Sequence, residues 1–239
     1  MNKRLNIYYW LRKIFVSKFF QYFLIKFLFI NKTFIRKTVF LLIYKSNHWN
    51  KNILIDPNKL LVSGPGSIPG SVQTNNIIIN LNNFIKENNV NNILDMPCGD
   101  FAWMQDLLKI NNTLDYTGYD IVEEIVLINN QRYSSNNIRF FTKDIVNEKH
   151  FNGFDLVFIR DFFIHISNED ILKVLYNIKK SKIKFFACLS NKNELLNKDI
   201  AAGKHRKINL SIEPFNLNDI FFSFYEGKED RYINFYKLS

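Results

Sequence analysis

The sequence predicts an α/β fold with a Rossmann-like, mostly parallel sheet, and three observations support that prediction. From residue 91 onward, short apolar runs alternate with helical stretches, and strands that alternate with helices pair in parallel. The run over residues 154–161 is strongly apolar, as expected of a strand buried on both faces. The chain ends in two further apolar runs joined by a charged turn, which predicts an antiparallel hairpin.

Local patterns justify each element in turn. Residues 63–71 are rich in Gly, Pro and Ser, which predicts a loop. Thr74 is the predicted N-cap of the helix that follows, and Ser167 that of a later helix. In chain order, the sequence predicts a helix over 74–89, a strand over 91–96, a helix over 101–110, a strand over 115–120, a helix over 121–132, strands over 138–144 and 154–161, a helix over 168–179, a strand over 184–190 and hairpin strands over 220–225 and 232–238.

Charge divides the chain into two predicted regions. The net charge is +10, and all of it falls within residues 1–50, which contain ten Lys or Arg and no acidic residue. Residues 51–239 hold 22 basic and 22 acidic residues. We therefore predict a basic, aromatic-rich helical arm over 1–50 and one neutral domain over 51–239. The 47% hydrophobic content excludes wholesale disorder, and two cysteines exclude a disulfide framework.

The arm is open to three interpretations. Lys18, Lys26 and Lys32 interrupt its apolar residues, so no stretch approaches the roughly 18 to 20 residues of a membrane-spanning helix. The arm fits helices packed on the domain, a helix in a membrane interface, or a nucleic-acid surface, of which the last is disfavoured by the aliphatic and Phe content. We expect a cytoplasmic protein in which residues 1–40 contact the inner face of an anionic membrane and are dispensable for cofactor binding.

The predicted carboxyl ends of the strands carry polar residues, and ligands bind at such ends in open α/β sheets. The first end is a tight turn centred on Gly99 and followed by Asp100, and Asp120 lies 21 residues beyond that glycine. An acid at this distance is placed to bond ribose hydroxyls. A dinucleotide would need two more glycines where the chain has Pro97 and Ala102, and Asp100 would repel its pyrophosphate. A ligand with a cationic sulfur suits this turn better.

Residues 91–161 resemble the core of class I S-adenosylmethionine-dependent methyltransferases. The pattern Asp-x-Pro-Cys-Gly-Asp-Phe-x-Trp-Met, from Asp95 to Met104, resembles that of an uncharacterised bacterial branch, which also shows the Ser-Gly-x-Gly-Ser loop of residues 63–67. The resemblance implies a seven-stranded sheet with helices on both faces and S-adenosylmethionine as the cofactor. The implied cofactor-binding residues are Ser63, Gly64, Asp95, Pro97, Gly99, Asp100, Trp103, Asp120, Ile121, Asp144, Ile145 and Arg160.

Acceptor-side residues follow from the same resemblance. Asp161 and His165, in an Arg-Asp-x-x-x-His segment after the fourth strand, are the candidate catalytic pair, one of them acting as general base. Arg206 and Asn209 are the candidate substrate-binding residues. We predict no metal site, because His48, His150 and His205 lack metal-ligand spacing. Cys98 is expected to be a small buried residue.

These residues predict transfer of a methyl group to an oxygen or nitrogen atom of a small molecule or glycan precursor. The alternatives are a nicotinamide-dependent oxidoreductase, which the missing glycines disfavour, and a non-catalytic membrane-surface protein with a vestigial cofactor pocket. Nucleic acid is not the expected acceptor, since the chain lacks the Asn/Asp-Pro-Pro-Tyr/Phe motif of base-N6 DNA methyltransferases after its fourth strand.

Overall fold

A computed structural model describes residues 3–50 and 63–238 of the chain. Seven strands form one sheet in the order β3-β2-β1-β4-β5-β7-β6. The first five strands pair in parallel, and β7 pairs antiparallel with both β5 and β6. The predicted seven-stranded, mostly parallel sheet with an antiparallel hairpin is confirmed.

The bounds of the elements are as follows. The helices are α1 (Lys3–Phe15), α2 (Lys18–Phe27), α3 (Lys32–Lys45), α4 (Val72–Glu87), α5 (Met104–Ile110), α6 (Glu123–Tyr133) and α7 (Asn168–Lys180). The strands are β1 (Asn92–Asp95), β2 (Asp115–Asp120), β3 (Ile138–Thr142), β4 (Leu156–Ile159), β5 (Phe185–Asn191), β6 (Ile220–Tyr225) and β7 (Arg231–Lys237). Short 3-10 turns cover His48–Asn50, Pro65–Ser67 and Phe163–His165.

Helix caps explain where two helices begin. Ser167 caps α7, as predicted, by accepting a hydrogen bond from the Asp170 amide at 3.2 Å. The prediction of Thr74 as the cap of α4 is wrong, because α4 begins one turn of chain earlier. Ser71 is its N-cap and accepts from the Thr74 amide at 3.3 Å. Both residues are hydroxyl residues in a polar stretch, and spacing alone did not distinguish them.

The core lies around the central strands. Every residue of β4 and β5 is buried, as expected of strands that have neighbours on both edges and helices on both faces. Leu94 of β1 pairs with Val157 of β4, and Phe158 of β4 pairs with Ala187 of β5. This rigid centre brings the carboxyl ends of β1, β2 and β4 to one edge of the sheet.

The N-terminal arm packs partly into this core. Val39 and Ile43 of α3 are completely buried, and Arg36 of α3 forms buried ion pairs with Asp144 (2.6 Å) and Asp170 (3.3 Å). The expectation that residues 1–40 are dispensable conflicts with this packing, because their removal would open the core and leave two acids uncompensated. The predicted boundary after residue 50 adjoins residues 51–62, which lie outside the described part of the chain.

Helices α1 and α2 are less enclosed than α3. Their aromatic residues include Phe19, Phe27 and the following Phe29, whose side chains are 80%, 65% and 86% exposed. None of the helices within the described residues combines the length and the apolar character that crossing a membrane requires.

Candidate active site

The turn after β1 joins two distant parts of the chain. Gly99 has a φ of 54°, a conformation that favours glycine, and a Cβ atom there would lie 2.4 Å from Ser63 Oγ. The Ser63 amide donates to Asp100 Oδ2 at 2.9 Å, and the Asp100 amide donates to Ser63 Oγ at 3.0 Å. This reciprocal pair holds the loop at residues 63–67 against the glycine turn.

Two buried carboxyl groups lie at the ends of β1 and β2. Asp120 accepts hydrogen bonds from the amides of Gly99 (3.2 Å) and Val122 (2.9 Å), and Asp95 accepts from the Tyr116 hydroxyl (2.8 Å). Burial raises the pKa of Asp120 to about 6 and the pKa of Asp95 to about 7, because the ionised group loses its hydration. Perturbed carboxyl groups of this kind concentrate at functional sites.

A cavity of about 580 Å³ opens at this edge of the sheet, within the range of roughly 300–1,000 Å³ that is usual for small-ligand sites. The predicted residues that line it are Ser63, Gly64, Asp95, Pro97, Gly99, Asp100, Trp103, Arg160, Asp161 and His165. The structure therefore brings most of the predicted cofactor residues and both candidate catalytic residues together in one space.

The end of β4 belongs to a buried network of charges. Asp161 pairs with Arg231 at 2.6 Å and with Arg160 at 3.4 Å. Glu226, which is completely buried, binds both arginines. Burial opposes ionisation of Asp161, but the charges of Arg160 and Arg231 outweigh it and hold the pKa of Asp161 well below its usual range. A carboxylate held in this way is a weak proton acceptor, so the network favours a positioning role for Asp161.

His165 is the better placed proton acceptor. Its Nδ1 lies 2.8 Å from the Lys204 carbonyl oxygen. Since a carbonyl oxygen only accepts, the proton of the neutral ring is on Nδ1, and Nε2 carries the lone pair. Burial lowers the pKa of His165 to about 4, so the ring is neutral at physiological pH. The Trp49 ring, 5.4 Å away between centroids, helps to enclose it.

A smaller cavity of about 40 Å³ adjoins the larger one and is lined by the other predicted cofactor residues, namely Asp120, Ile121, Asp144 and Ile145. The carboxylate of Asp144 is already engaged, because it accepts from Arg36 (2.6 Å), Thr33 (2.6 Å) and Asn147 (2.9 Å). Any adenine contact in this place is therefore left to the backbone and apolar neighbours.

Arg206 and Asn209, the candidate substrate-binding residues, do not line either cavity. The Arg206 guanidinium donates to the carbonyl oxygens of Lys198 (2.6 Å) and Ile166 (3.0 Å). The Asn209 amide donates to the carbonyl oxygens of Lys192 and Glu194 at 3.2 and 3.0 Å. Asn209 thus holds together the segment between β5 and β6, and Arg206 also ties that segment to the residues before α7.

Sequence reasoning missed the contribution of distant segments to the cavity. Arm residues that line the larger cavity are Arg12, Val16, Tyr44, His48 and Trp49, and hairpin residues are Lys228 and Arg231. A basic arm with no acidic residue gave no local signal that one of its arginines turns inward. Among the described residues, no group of His, Cys, Asp and Glu side chains is arranged to hold a metal ion.

Comparison with protein families supplies the remaining evidence. Residues 93–181, which span β1 through α7, match the family described as a methyltransferase domain. The match covers 89 of the 239 residues and is a similarity of this segment to methyltransferase domains. Together with the fold, it supports S-adenosylmethionine as the cofactor. The narrower resemblance to an uncharacterised bacterial branch stays a prediction.

Several solved structures are similar to this chain in fold. Magnesium protoporphyrin IX methyltransferase (ChlM) from Synechocystis PCC 6803 with bound SAM has a TM-score of 0.56 at 14% identity, covering 86% of this chain and 97% of that one. The methyltransferase domain of bacterial CtHen1 has a TM-score of 0.52 at 14% identity, covering 67% and 97%. The mitomycin 7-O-methyltransferase MmcR has a TM-score of 0.50 at 12% identity, covering 67% and 54%. The sequence itself matches no curated protein.

The residues of the larger cavity fit S-adenosylmethionine by charge. Its sulfonium and ammonium groups are cations, and the turn after β1 presents the carboxyl groups of Asp95 and Asp100 to the cavity. Burial raises the pKa of Asp95 more than the Tyr116 hydroxyl and the charge of Arg160 lower it, and a bound cation would favour the ionised carboxyl group. The charge of the glycine turn is thus compatible with the cations of the cofactor's methionine part.

Proposed function

We propose that this chain transfers a methyl group from S-adenosylmethionine to an oxygen or nitrogen atom of a small molecule or glycan precursor. One observation carries the proposal: the glycine turn with its carboxyl groups and the neutral His165 line the same cavity. When bound, the cofactor supplies an electrophilic methyl group to a nucleophile aligned at about 3 Å. The chain's task is to hold the acceptor in that position and to receive its proton.

In this proposal, His165 accepts the proton that the acceptor loses. Its neutral ring has Nδ1 fixed by the Lys204 carbonyl, so the free lone pair of Nε2 is the basic site. Asp161, bound to Arg231 and Arg160, would orient the wall of the site and contribute a negative charge that favours a protonated His165. The predicted catalytic role of Asp161 is in this reading an indirect one.

The enclosure of the site supports a small acceptor. Residues from the arm, the loop at 63–67 and the C-terminal hairpin line the cavity, and its volume of about 580 Å³ suits a small molecule. The names of two structural neighbours, the magnesium protoporphyrin IX and mitomycin 7-O-methyltransferases, agree with acceptors of this kind. The nicotinamide alternative is not favoured, because the matched family is a methyltransferase domain.

The experiment measures cofactor affinity and methyl transfer separately. Labelled S-adenosylmethionine is offered with a panel of sugars, small acids and phenols to the wild type, to His165→Ala, and to His150→Ala as an exposed control. We expect His165→Ala to keep the cofactor affinity and to lower kcat by about 10²- to 10⁴-fold, the usual value of a general base. Failure of the wild type to bind at millimolar cofactor would contradict the proposal. Binding without transfer to any acceptor would favour the non-catalytic alternative.

We also propose that the outer face of α1 and α2 contacts an anionic membrane. Exposed apolar side chains concentrate on these helices and the turn that follows them, namely Ile7, Trp10, Ile14, Phe19, Tyr22, Phe27, Leu28 and Phe29. Lys13 and Lys26 lie among them and are exposed, whereas Lys18 pairs with Asp199. Apolar and basic residues in this mixture are typical of helices that lie in a membrane interface.

Vesicle flotation tests the membrane proposal without truncating the core. We expect the wild type to float with phosphatidylglycerol-containing vesicles at low salt and a Phe19→Ser/Phe29→Ser variant to be recovered several-fold less. Leu195→Ser is the control, since Leu195 is 90% exposed but lies outside the arm. Equal recovery of the wild type and the double variant would leave the arm with a packing role alone.

A further inference from the structure

Charge is distributed unevenly around the larger cavity. The glycine turn contributes carboxyl groups, and the Arg160, Asp161, Glu226 and Arg231 network balances two positive charges with two negative ones. Three cations remain, namely Arg12, Lys204 and Lys228, and none of them forms an ion pair with the described residues. The cavity therefore has an acidic part suited to the cofactor and a basic part that the cofactor does not explain.

Arg12 is the unusual member of the basic part. The residue is only 8% exposed, yet no hydrogen bond or ion pair of its guanidinium occurs within the described ranges, and its Nε is buried without an acceptor. Its contact there is the Tyr9 ring, 5.6 Å from the guanidinium carbon. Arginine stays protonated at neutral pH, and a buried charge without a partner is costly. The described residues place no anion at this guanidinium, so an anionic group of a ligand in the cavity would pair with it.

The surrounding contacts fix Arg12 relative to the candidate base. Val16, one helical turn beyond Arg12, packs against Gly203, where a Cβ would lie 3.1 Å from its Cγ1. The Gly203 amide in turn donates to the His165 carbonyl at 2.8 Å, and the neighbouring Lys204 carbonyl binds the His165 ring. Arg12, Lys204 and His165 thus belong to one packed unit that faces one cavity.

We propose that the acceptor carries a carboxylate or phosphate group and that Arg12, assisted by Lys204, binds this group. The planar guanidinium matches both anions with two parallel hydrogen bonds. An anion held there leaves another part of the same molecule free to approach His165. This inference rests on the proposed function, because it names the class of acceptor for the same site.

Calorimetry on the full-length protein saturated with S-adenosylhomocysteine tests the proposal directly. The probes are phenyl phosphate, benzoate and the uncharged benzyl alcohol. Comparing the first two shows whether the site prefers a phosphate or a carboxylate. We expect phenyl phosphate or benzoate to bind and benzyl alcohol not to bind. Arg12→Met should lower the affinity for the anion at least tenfold, and Arg12→Lys should lower it by less. Lys13→Met is the matched control on α1, since Lys13 is exposed and outside the cavity wall.

A second readout separates a ligand-binding role from a structural one. If Arg12 is a buried charge kept for a ligand, Arg12→Met should raise the Tm of the unliganded protein by about 2–4 °C. A lowered Tm would mean that the charge stabilises the fold and would overturn the proposal. Anion affinity unchanged in Arg12→Met, or binding of neither anion, would overturn it as well.

Titration with S-adenosylhomocysteine keeps the two proposals apart. If the wild type and Arg12→Met both bind S-adenosylhomocysteine and have the same anion affinity, the anion site is rejected. The methyltransferase proposal then still stands. A wild type that fails to bind it would reject the proposed function. The anion titration on the unliganded protein then still decides whether Arg12 binds an anion.

Discussion

Asp95 and Asp161 end neighbouring strands at the same edge of the sheet, yet their environments drive their pKa values in opposite directions. Asp95 is buried with one hydroxyl donor, and its pKa rises to about 7. Asp161 is bound by two arginines, and its pKa falls well below the usual range. At the β4 end, two arginines of the protein compensate the charge of the carboxylate. At the β1 end, burial outweighs the stabilising contacts, so a cationic ligand would favour the ionised carboxyl group there.

The largest expected effect comes from disrupting the β4 network. Glu226→Gln removes a charge that is completely buried and leaves Arg160 and Arg231 under-compensated. We expect the free energy of unfolding to fall by about 3–5 kcal/mol, the usual cost of breaking a buried ion pair from one side. Urea denaturation at pH 8 measures it, with the exposed Arg139→Met as control. A loss below 1 kcal/mol would mean that water screens the network.

Replacing the buried carboxyl group at the β1 end should instead raise the free energy of unfolding. The pKa of Asp95 is raised above its unfolded value, so the folded state binds the extra proton and loses stability as the pH rises toward 7. At pH 8 we expect Asp95→Asn to raise the free energy of unfolding by about 2–4 kcal/mol. At pH 5 the difference should be less than half as large, and it should vanish only below about pH 4, where the carboxyl group is neutral in the unfolded chain as well.

Urea denaturation at the two pH values checks this prediction, and Asp115→Asn, on the exposed end of β2, is the control. A variant that is destabilised at pH 8 would show that the ionised Asp95 already has a sufficient partner in the unliganded protein. The contrast between the two ends of the sheet edge would then disappear.

A smaller effect is expected in the pH dependence of cofactor binding. A cationic ligand prefers the ionised forms of Asp95 and Asp120, whose pKa values are about 7 and 6. Affinity for S-adenosylmethionine, which carries the sulfonium charge, should therefore fall as the pH is lowered from 7 to 5.5, by up to about tenfold per pH unit for each proton taken up. Calorimetry at several pH values measures it. Asp95→Asn should flatten the upper part of the profile, and an unchanged profile would argue against Asp95 as the cation's partner.

The sequence predicted the sheet well because its signals are local. Apolar runs indicate the strands, and the glycine and acidic residues at Gly99 indicate a tight turn between a strand and a helix. The placement of the arm was not predictable in the same way. Arg36 meets Asp144 across 108 residues of chain, and nothing in the local pattern distinguishes it from an exposed arginine. The same holds for Arg206, whose partners are backbone carbonyls that leave no mark in the sequence.

Calorimetric titration of S-adenosylmethionine into the wild type, Asp120→Asn and Asp115→Asn tests the central claim most directly. Both acids lie on β2, one buried at the carboxyl end beside the cavity and one exposed at the opposite end. We predict micromolar binding by the wild type and by Asp115→Asn, and a loss of about 1.5–3 kcal/mol in Asp120→Asn, the scale of a hydrogen bond to a charged group. Equal affinities in all three proteins, or no binding by the wild type, would contradict the assignment of the cofactor to this edge of the sheet.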